Sequence, residues 1–272
     1  MDVVCVGDCG VDLYLPSNET LFGGITANFA RHARREFPAD DVIRIVSCVG
    51  DDAGGDLVLA SLEGTGIDCH ITRMRGATPV QSIEIHGDGE KDFVGYEEGV
   101  LRDFRFGADD KRLIRESDLL VAPVYLQIVG LFDELMAIAA AGRVAVDFAD
   151  FLEYPDFDLL ERHLAAIDIA FFGLSTRDEA MIERLAVLAD RHQKLFVVTL
   201  AADGSRAFAG AERFDCDAVP VDAIVDTTGA GDAYAAGFLS RYCHGASVAE
   251  AMQNGARVAA RVVERLGSFP AA

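Results

Sequence analysis

The stretch "DTTGAGDAYAAGF", Asp226 to Phe238, decides how this chain is read. Two glycines bracket an alanine, an aspartate follows at once, and small and apolar residues come next. Ala230 through Tyr242 can form a helix. The first N–H groups of a helix have no intrahelical acceptor, and the macrodipole makes that end attractive to anions. Gly229 and Gly231 permit backbone angles closed to other residues and let a ligand approach those N–H groups. A phosphoryl group suits such a turn, and Asp232 would stand beside it, placed to accept a proton from a hydroxyl attacking phosphorus. Taken alone, G-x-G-D is equally an ordinary loop followed by a favourable first-turn aspartate. The length and composition of the whole stretch tip the reading towards chemistry.

Short β-rich runs alternate with helical patterns on the N-terminal side. "DVVCVGD" (Asp2–Asp8) reads as a buried strand, and "ITANFARHARREF" (Ile25–Phe37) as a helix with Ile25, Phe29 and Ala33 on one face. "VIRIVSCVG" (Val42–Gly50) is a strand, and "GDLVLASLEGTG" (Gly55–Gly66) a helix ended by glycines. "SDLLVAP", "RVAVDF", "IDIAFF" and "KLFVVTL" have the look of central strands. The alternation implies βαβ units and a mostly parallel sheet covered by helices. One region breaks it. "TPVQSIEIHGDGEKDFVGYEEG" (Thr78–Gly99) has two β-prone runs around Asp88-Gly89, a hairpin signal. Such a hairpin lies either at the edge of the main sheet or off it as a lid.

The totals bound the rest. A chain of 272 residues, 51% hydrophobic, can bury a large core. With 24 basic and 45 acidic residues its formal net charge is −21, which argues against binding nucleic acid or an anionic membrane. The N-terminus lacks the basic region of a signal peptide, no apolar run reaches membrane-spanning length, and a cytoplasmic location is expected. The six cysteines are scattered without a C-x-x-C pair and read as buried free thiols. There is no G-x-x-x-x-G-K-[ST] and no zinc-ligand spacing of histidines.

The chain resembles the PfkB, or ribokinase-like, family of carbohydrate kinases. "DTTGAGDAYAAGF" is similar to that family's C-terminal signature. "GGITANFA" (Gly23–Ala30) is similar to its G-G-x-x-x-N-x-A pattern, and "VVTLAADGSRAF" (Val197–Phe208) to its nucleotide segment. The motifs occur in the expected order, and the likeness runs from Val4 to about Gly267. "GYEEGVLRDFRF" (Gly95–Phe106) and "VGDCGVD" look most like the fructoselysine 6-kinase branch. The resemblance implies one α/β domain over residues 1–272: a three-layer α/β/α fold with a mostly parallel central sheet and a small β-sheet lid, its elements around residues 9–22 and 78–100. It implies transfer of a phosphoryl group from ATP, with Mg²⁺, to a primary hydroxyl of a sugar or glycated amine. A ribokinase-, fructokinase- or nucleoside-kinase-like specificity is the alternative within the class. A catalytically silent sugar- or nucleotide-binding regulator is the alternative outside it.

The same resemblance assigns residues. Asp232 would be the catalytic base, with Gly229, Ala230 and Gly231 forming the anion hole. Asp12, Gly24 and Asn28 would hold sugar hydroxyls, which suits their hydrogen-bonding chemistry. Thr199 and Gly204 would border the nucleotide, with Asn254 near adenosine. Glu179 would organise Mg²⁺ through water. Asp226 would border a K⁺ or similar monovalent site, or else simply cap the turn. Departures from the family pattern are also present. Thr176 stands where asparagine is usual before Glu179, Ala201 replaces a glycine, and "DFADFLEYPDF" (Asp147–Phe157) lacks D-x-N-x-R. A homodimer through the lid, with Val80–Phe93 at the interface, is expected. Glu90, Asp92, Glu97 and Glu98 in the lid form a solvated loop face, or else some of them face the cleft and attract a cationic substituent on the sugar, an effect that salt should weaken.

Overall fold

The computed structural model describes residues 1–85, 91–149 and 151–269. The strands and helices of the first half are β1 (Asp2–Val6), β2 (Gly10–Leu15), β3 (Glu19–Gly23), α1 (Ile25–Glu36), β4 (Val42–Gly50), α2 (Ala53–Leu62), β5 (Asp68–Met74), β6 (Val80–Ile85) and β7 (Lys91–Glu97). There follow α3 (Ala108–Glu116), β8 (Leu119–Val124), α4 (Val129–Met136), β9 (Arg143–Phe148), α5 (Phe157–His163), β10 (Ile169–Gly173), α6 (Glu179–His192) and β11 (Leu195–Thr199). The chain ends with β12 (Ser205–Ala209), β13 (Glu212–Cys216), α7 (Ala230–Tyr242) and α8 (Val248–Ala260).

Among the described residues, nine strands form one sheet in the order β13-β12-β11-β10-β9-β8-β1-β4-β5. Every pair from β11 to β5 is parallel, and β12 and β13 extend the edge antiparallel. The central strands are apolar on both faces because helices cover both. Val3, Cys5, Ile43, Ile45, Leu119 and Val197 pack against Phe29 of α1 and Phe238 of α7. Their neighbours in sequence, Val4, Ile45's neighbour Val46, Leu120 and Val198, pack on the other face with Phe132, Leu160 and Leu185. This two-faced alternation is the three-layer architecture expected from the sequence.

Local signals explain the helix ends. The Asp52 carboxylate accepts the Gly55 N–H at 2.9 Å, so α2 begins ahead of the glycine at which the pattern placed its start. Helix α1 stops at Glu36 because Phe37 precedes Pro38, and a residue before proline is pushed to extended backbone. In α7 the small residues serve packing. A Cβ on Gly237 would meet Val258 at 2.7 Å, and one on Gly255 would meet the Tyr234 carbonyl at 2.9 Å, so α7 and α8 lie unusually close. Cys5, Cys9 and Cys48 are buried free thiols, whereas Cys69 is exposed and Cys216 and Cys243 are half-buried.

The remaining strands form a separate four-stranded sheet, β3-β2-β6-β7, with β2 and β6 parallel and the outer pairs antiparallel. Asp88-Gly89 lies outside the described residues. No helix of the described residues is long and apolar enough to cross a membrane.

Candidate active site

Gly229 caps α7 with φ 77° and ψ 1°, a left-handed conformation that favours glycine. A side chain there would also strike Ser268, whose Cβ lies 2.5 Å from where a Cβ would stand. Around Gly231, by contrast, a Cβ would meet no atom within 4 Å, so the space in front of this amide is open. The turn is held from behind by Asp226. Its buried carboxylate accepts the Thr228 N–H, the Gly267 N–H and the Tyr14 hydroxyl, each at 2.8 Å. Those donors offset the cost of burying the charge and account for Asp226 as the cap of the turn. They use three of about four lone-pair positions on the carboxylate, so its side chain is poorly suited to hold a monovalent cation as well.

One side of the first turn of α7 faces a narrow crevice. Asp232, Thr26, Pro123 and Asp147 line it. Asp232 is buried, 8% exposed. Burial pushes the Asp147 carboxyl up to about 7. Asp8 accepts the N–H groups of Ile25 and Thr26 at 3.1 and 3.2 Å and so fixes the start of α1. Burial raises its carboxyl above the usual range, and those hydrogen bonds work in the opposite direction. Gly24 sits at φ 95°, and a Cβ there would press on the Asp8 carbonyl at 2.9 Å. Asn28, one turn into α1, is buried and accepts the Ser268 hydroxyl at 2.6 Å. Asp12 reaches the same end of α1 from β2, its carboxylate lying against Gly23 where any side chain would collide.

The other side of that turn opens into a cavity of about 520 Å³. Thr199, Ala201, Gly204, Ala256 and Ala260 line it, and Ala230 and Gly231 form its inner end. Small and apolar walls suit a flat heteroaromatic base, and the glycine turn at the end suits a phosphate chain. Ala201 has φ 50°, so an alanine holds the left-handed position where the family pattern has glycine. Asn254 does not line this cavity. Its amide donates to the Gly237 carbonyl at 2.8 Å and ties α8 to α7, while the small residues of α8 one turn on make the wall. Glu179 pairs with Arg206 at 3.0 Å, and Thr176 donates to Asp203 at 3.0 Å. Among the described residues no group of three or more His, Cys, Asp and Glu is placed to hold a metal. A Mg²⁺ carried mainly by nucleotide phosphates and water needs no such cage.

The lid touches the main domain just past the end of β8. The hydroxyls of Tyr96 and Tyr125 lie 2.8 Å apart. Register separates the lid's two faces. Asp12, Gln81 and Tyr96 stand opposite one another and share a face, as do Ile83 and Phe93 beyond the bulge after Ser82. Glu97 pairs with Val80 and Asp92 with Glu84, which places both acids on the other face. The expectation that they look into the cleft is therefore corrected: the alternation of the strands turns them outward. Glu98 pairs with Arg102 at 3.1 Å. Glu90 lies outside the described residues. The sequence reading gave no role to Asp8 and Asp147, though both lie in stretches it quoted, and it missed Tyr14 and Ser268, which no motif marks and which only the fold brings to the site.

A glycine turn and carboxylate between two clefts, on a ribokinase-like α/β scaffold, define a small-molecule phosphotransferase. The chain belongs to the pfkB family of carbohydrate kinases, whose model matches residues 2–271, and it is an ATP-dependent carbohydrate kinase. It is 31% identical over 266 residues to the fructoselysine 6-kinase of Shigella flexneri, covering 97% of this chain and 98% of that one. Among solved structures, the adenosine kinase of Sinorhizobium meliloti superposes with a TM-score of 0.83 at 24% identity, covering 100% and 96% of the two chains. The Arabidopsis thaliana ribokinase complexed with ribose and ATP gives 0.78 at 22% identity, covering 99% and 95%.

Proposed function

We propose that this enzyme phosphorylates a primary hydroxyl of a glycated amine of the fructosamine type. The observation that carries the phosphotransfer reading is the position of the first turn of α7. Ala230 and Gly231 line the large cavity, and Asp232 lines the narrow crevice on the other side. A nucleotide in the cavity sets its terminal phosphate on the Gly229–Gly231 turn. An acceptor held at the start of α1 by Asp12, Gly24 and Asn28 offers its hydroxyl to Asp232. The carboxylate takes the proton as the oxygen attacks, and the backbone N–H groups bear the charge that develops on the phosphoryl oxygens. Glu179, now paired with Arg206, would hold the water of a Mg²⁺ carried by the nucleotide, and that ion would supply further neutralisation of the charge.

Two facts support an amine-bearing acceptor. The likeness to a fructoselysine 6-kinase spans nearly the whole chain. The residues lining the crevice also include Asp147 and Asp232 and no lysine or arginine, and Asp8 and Asp12 are buried near the start of α1. Buried carboxylates favour an ammonium group more strongly than exposed ones do. A panel of sugars and glycated amines, with ADP release coupled to detection of sugar phosphate, tests the reading. A fructosamine should give the highest kcat/KM. A neutral hexose or pentose that outperforms it removes the amine specificity and leaves the carbohydrate kinase.

We also propose a homodimer through the lid. Phe93 at 63% and Val94 at 49% exposure are large apolar side chains that an isolated lid leaves in water. A single monomeric species by light scattering at high micromolar concentration counts against it.

A further inference from the structure

Helix α1 and the segment after α8 together build a cationic cage in this strongly acidic protein. The Phe269 ring is its hub. The guanidinium carbon of Arg31 lies 4.1 Å from that ring's centre and that of Arg35 lies 4.8 Å away. The His32 ring stacks on the same phenyl at 4.1 Å. Arg265 approaches from the turn after α8 and, with Arg35, Arg31 and Arg261, acts on His32. Arg261 is already paired with Glu36 at 2.6 Å. Arg31, Arg35 and Arg265 have no ion pair to a carboxylate among the described residues, although the chain has 45 acidic residues to 24 basic.

Two buried polar atoms in this cage have no partner. They are Nε2 of His32, a residue only 4% exposed, and Nε of Arg265. An orphaned buried donor costs stability, and so does crowding like charges. Burial and the four neighbouring guanidiniums push His32 down to about 3, and Arg31 and Arg265 are lowered as well, by burial and by each other's class of charge. One missing element removes all of these costs together: an anion with several acceptor oxygens.

We infer that Arg31, His32, Arg35 and Arg265 form a binding site for a small dianion of the phosphate class, inorganic phosphate or a sugar phosphate. Planar guanidiniums offer paired donors that match phosphate oxygens. Three of them exceed the charge of a carboxylate and suit a dianion, and the histidine adds a donor once the anion is present. The net charge of −21 disfavours a polyanion such as RNA, which would have to approach an acidic surface. The cluster adjoins the active site, since Phe269 follows the Ser268 that abuts Gly229 and bonds Asn28, but it uses different donors from the anion turn, and the inference does not depend on which sugar the enzyme uses.

The test is a titration of the full chain with inorganic phosphate, fructose 6-phosphate and acetate, read at the ring nitrogens of His32 by NMR. The His32 signals are assigned with a His32→Asn variant. Phosphate or fructose 6-phosphate should shift them saturably, and acetate at equal ionic strength should not. Tighter binding of one than the other identifies the source. Arg35 is exposed, so Arg35→Gln should fold normally, as a matched melting curve would check, and weaken binding at least about tenfold. Arg35→Lys should retain most of it, and Arg265→Gln should behave like Arg35→Gln. Equal shifts with acetate, no saturation, or unchanged binding in both Gln variants would overturn the site. His32 shifts that persist with unchanged affinity in both Gln variants place the phosphate at the neighbouring anion turn and also overturn it, whatever the kinase assay returns.

Discussion

The Ser268 hydroxyl donates to the Asn28 amide oxygen at 2.6 Å, with both residues buried. This bond fixes which end of the Asn28 amide is used up and leaves its NH₂ to donate to an acceptor sugar. Ser268→Ala should therefore raise KM for the acceptor roughly three- to tenfold, the value of one buried hydrogen bond, while KM for ATP stays unchanged. Steady-state kinetics in both substrates check this. Equal changes in the two KM values would show a general loosening instead.

Asp232→Asn should cost ~10²–10⁴ in kcat, the usual effect of removing a positioned base. Nucleotide affinity should persist, because the turn binds through backbone N–H groups. Calorimetric titration with a non-hydrolysable ATP analogue, set beside turnover, separates the two effects. Near-wild-type turnover would remove Asp232 from the base role.

Gly229→Ala should destabilise the protein by roughly 2–4 kcal/mol, from left-handed backbone strain and collision with Ser268. Gly231→Ala meets open space and should leave stability almost unchanged while hindering the phosphate. Denaturant melts of the two variants decide whether the glycines serve fold and ligand separately.

Ala201→Gly should stabilise the protein. Relief of the left-handed alanine is worth ~1–2 kcal/mol, against ~0.4–1 for the added freedom of the unfolded chain. A melting temperature higher by roughly 1–3 °C is the expected result.

Asp147 supplies a pH signature. Its folded value of about 7 lies above the ordinary 3.8, so between those values the native state holds a proton that the unfolded chain has released. Stability from this group is present below pH 3.8 and is lost as pH rises through about 7. Asp147→Asn should accordingly melt above wild type at pH 8, with the difference closing as pH falls towards 4.

Much of this was legible in the sequence because the residues involved are local. The start of α7, its glycine turn and the strands β4 and β9 follow from spacing and propensity alone. Contacts made across the fold were not. Asp226 was readable as a turn cap or an ion ligand, and only the arrival of Tyr14 and the Gly267 N–H favours the former. Asn254 falls in the right helix, yet one of its amide N–H groups ties α8 to Gly237, a contact that no motif encodes. The lid acids were misplaced because an extra residue in β7 changes the parity of a strand, and parity decides which face a carboxylate occupies.

The bonds that finish the site span the chain: Tyr14 to Asp226 across 212 positions, and Asn28 to Ser268 across 240. During synthesis the acceptor half emerges long before the residues that brace it. Such distant closures form late. A polypeptide that has not yet closed these two contacts therefore lacks the struts that brace the site on both sides.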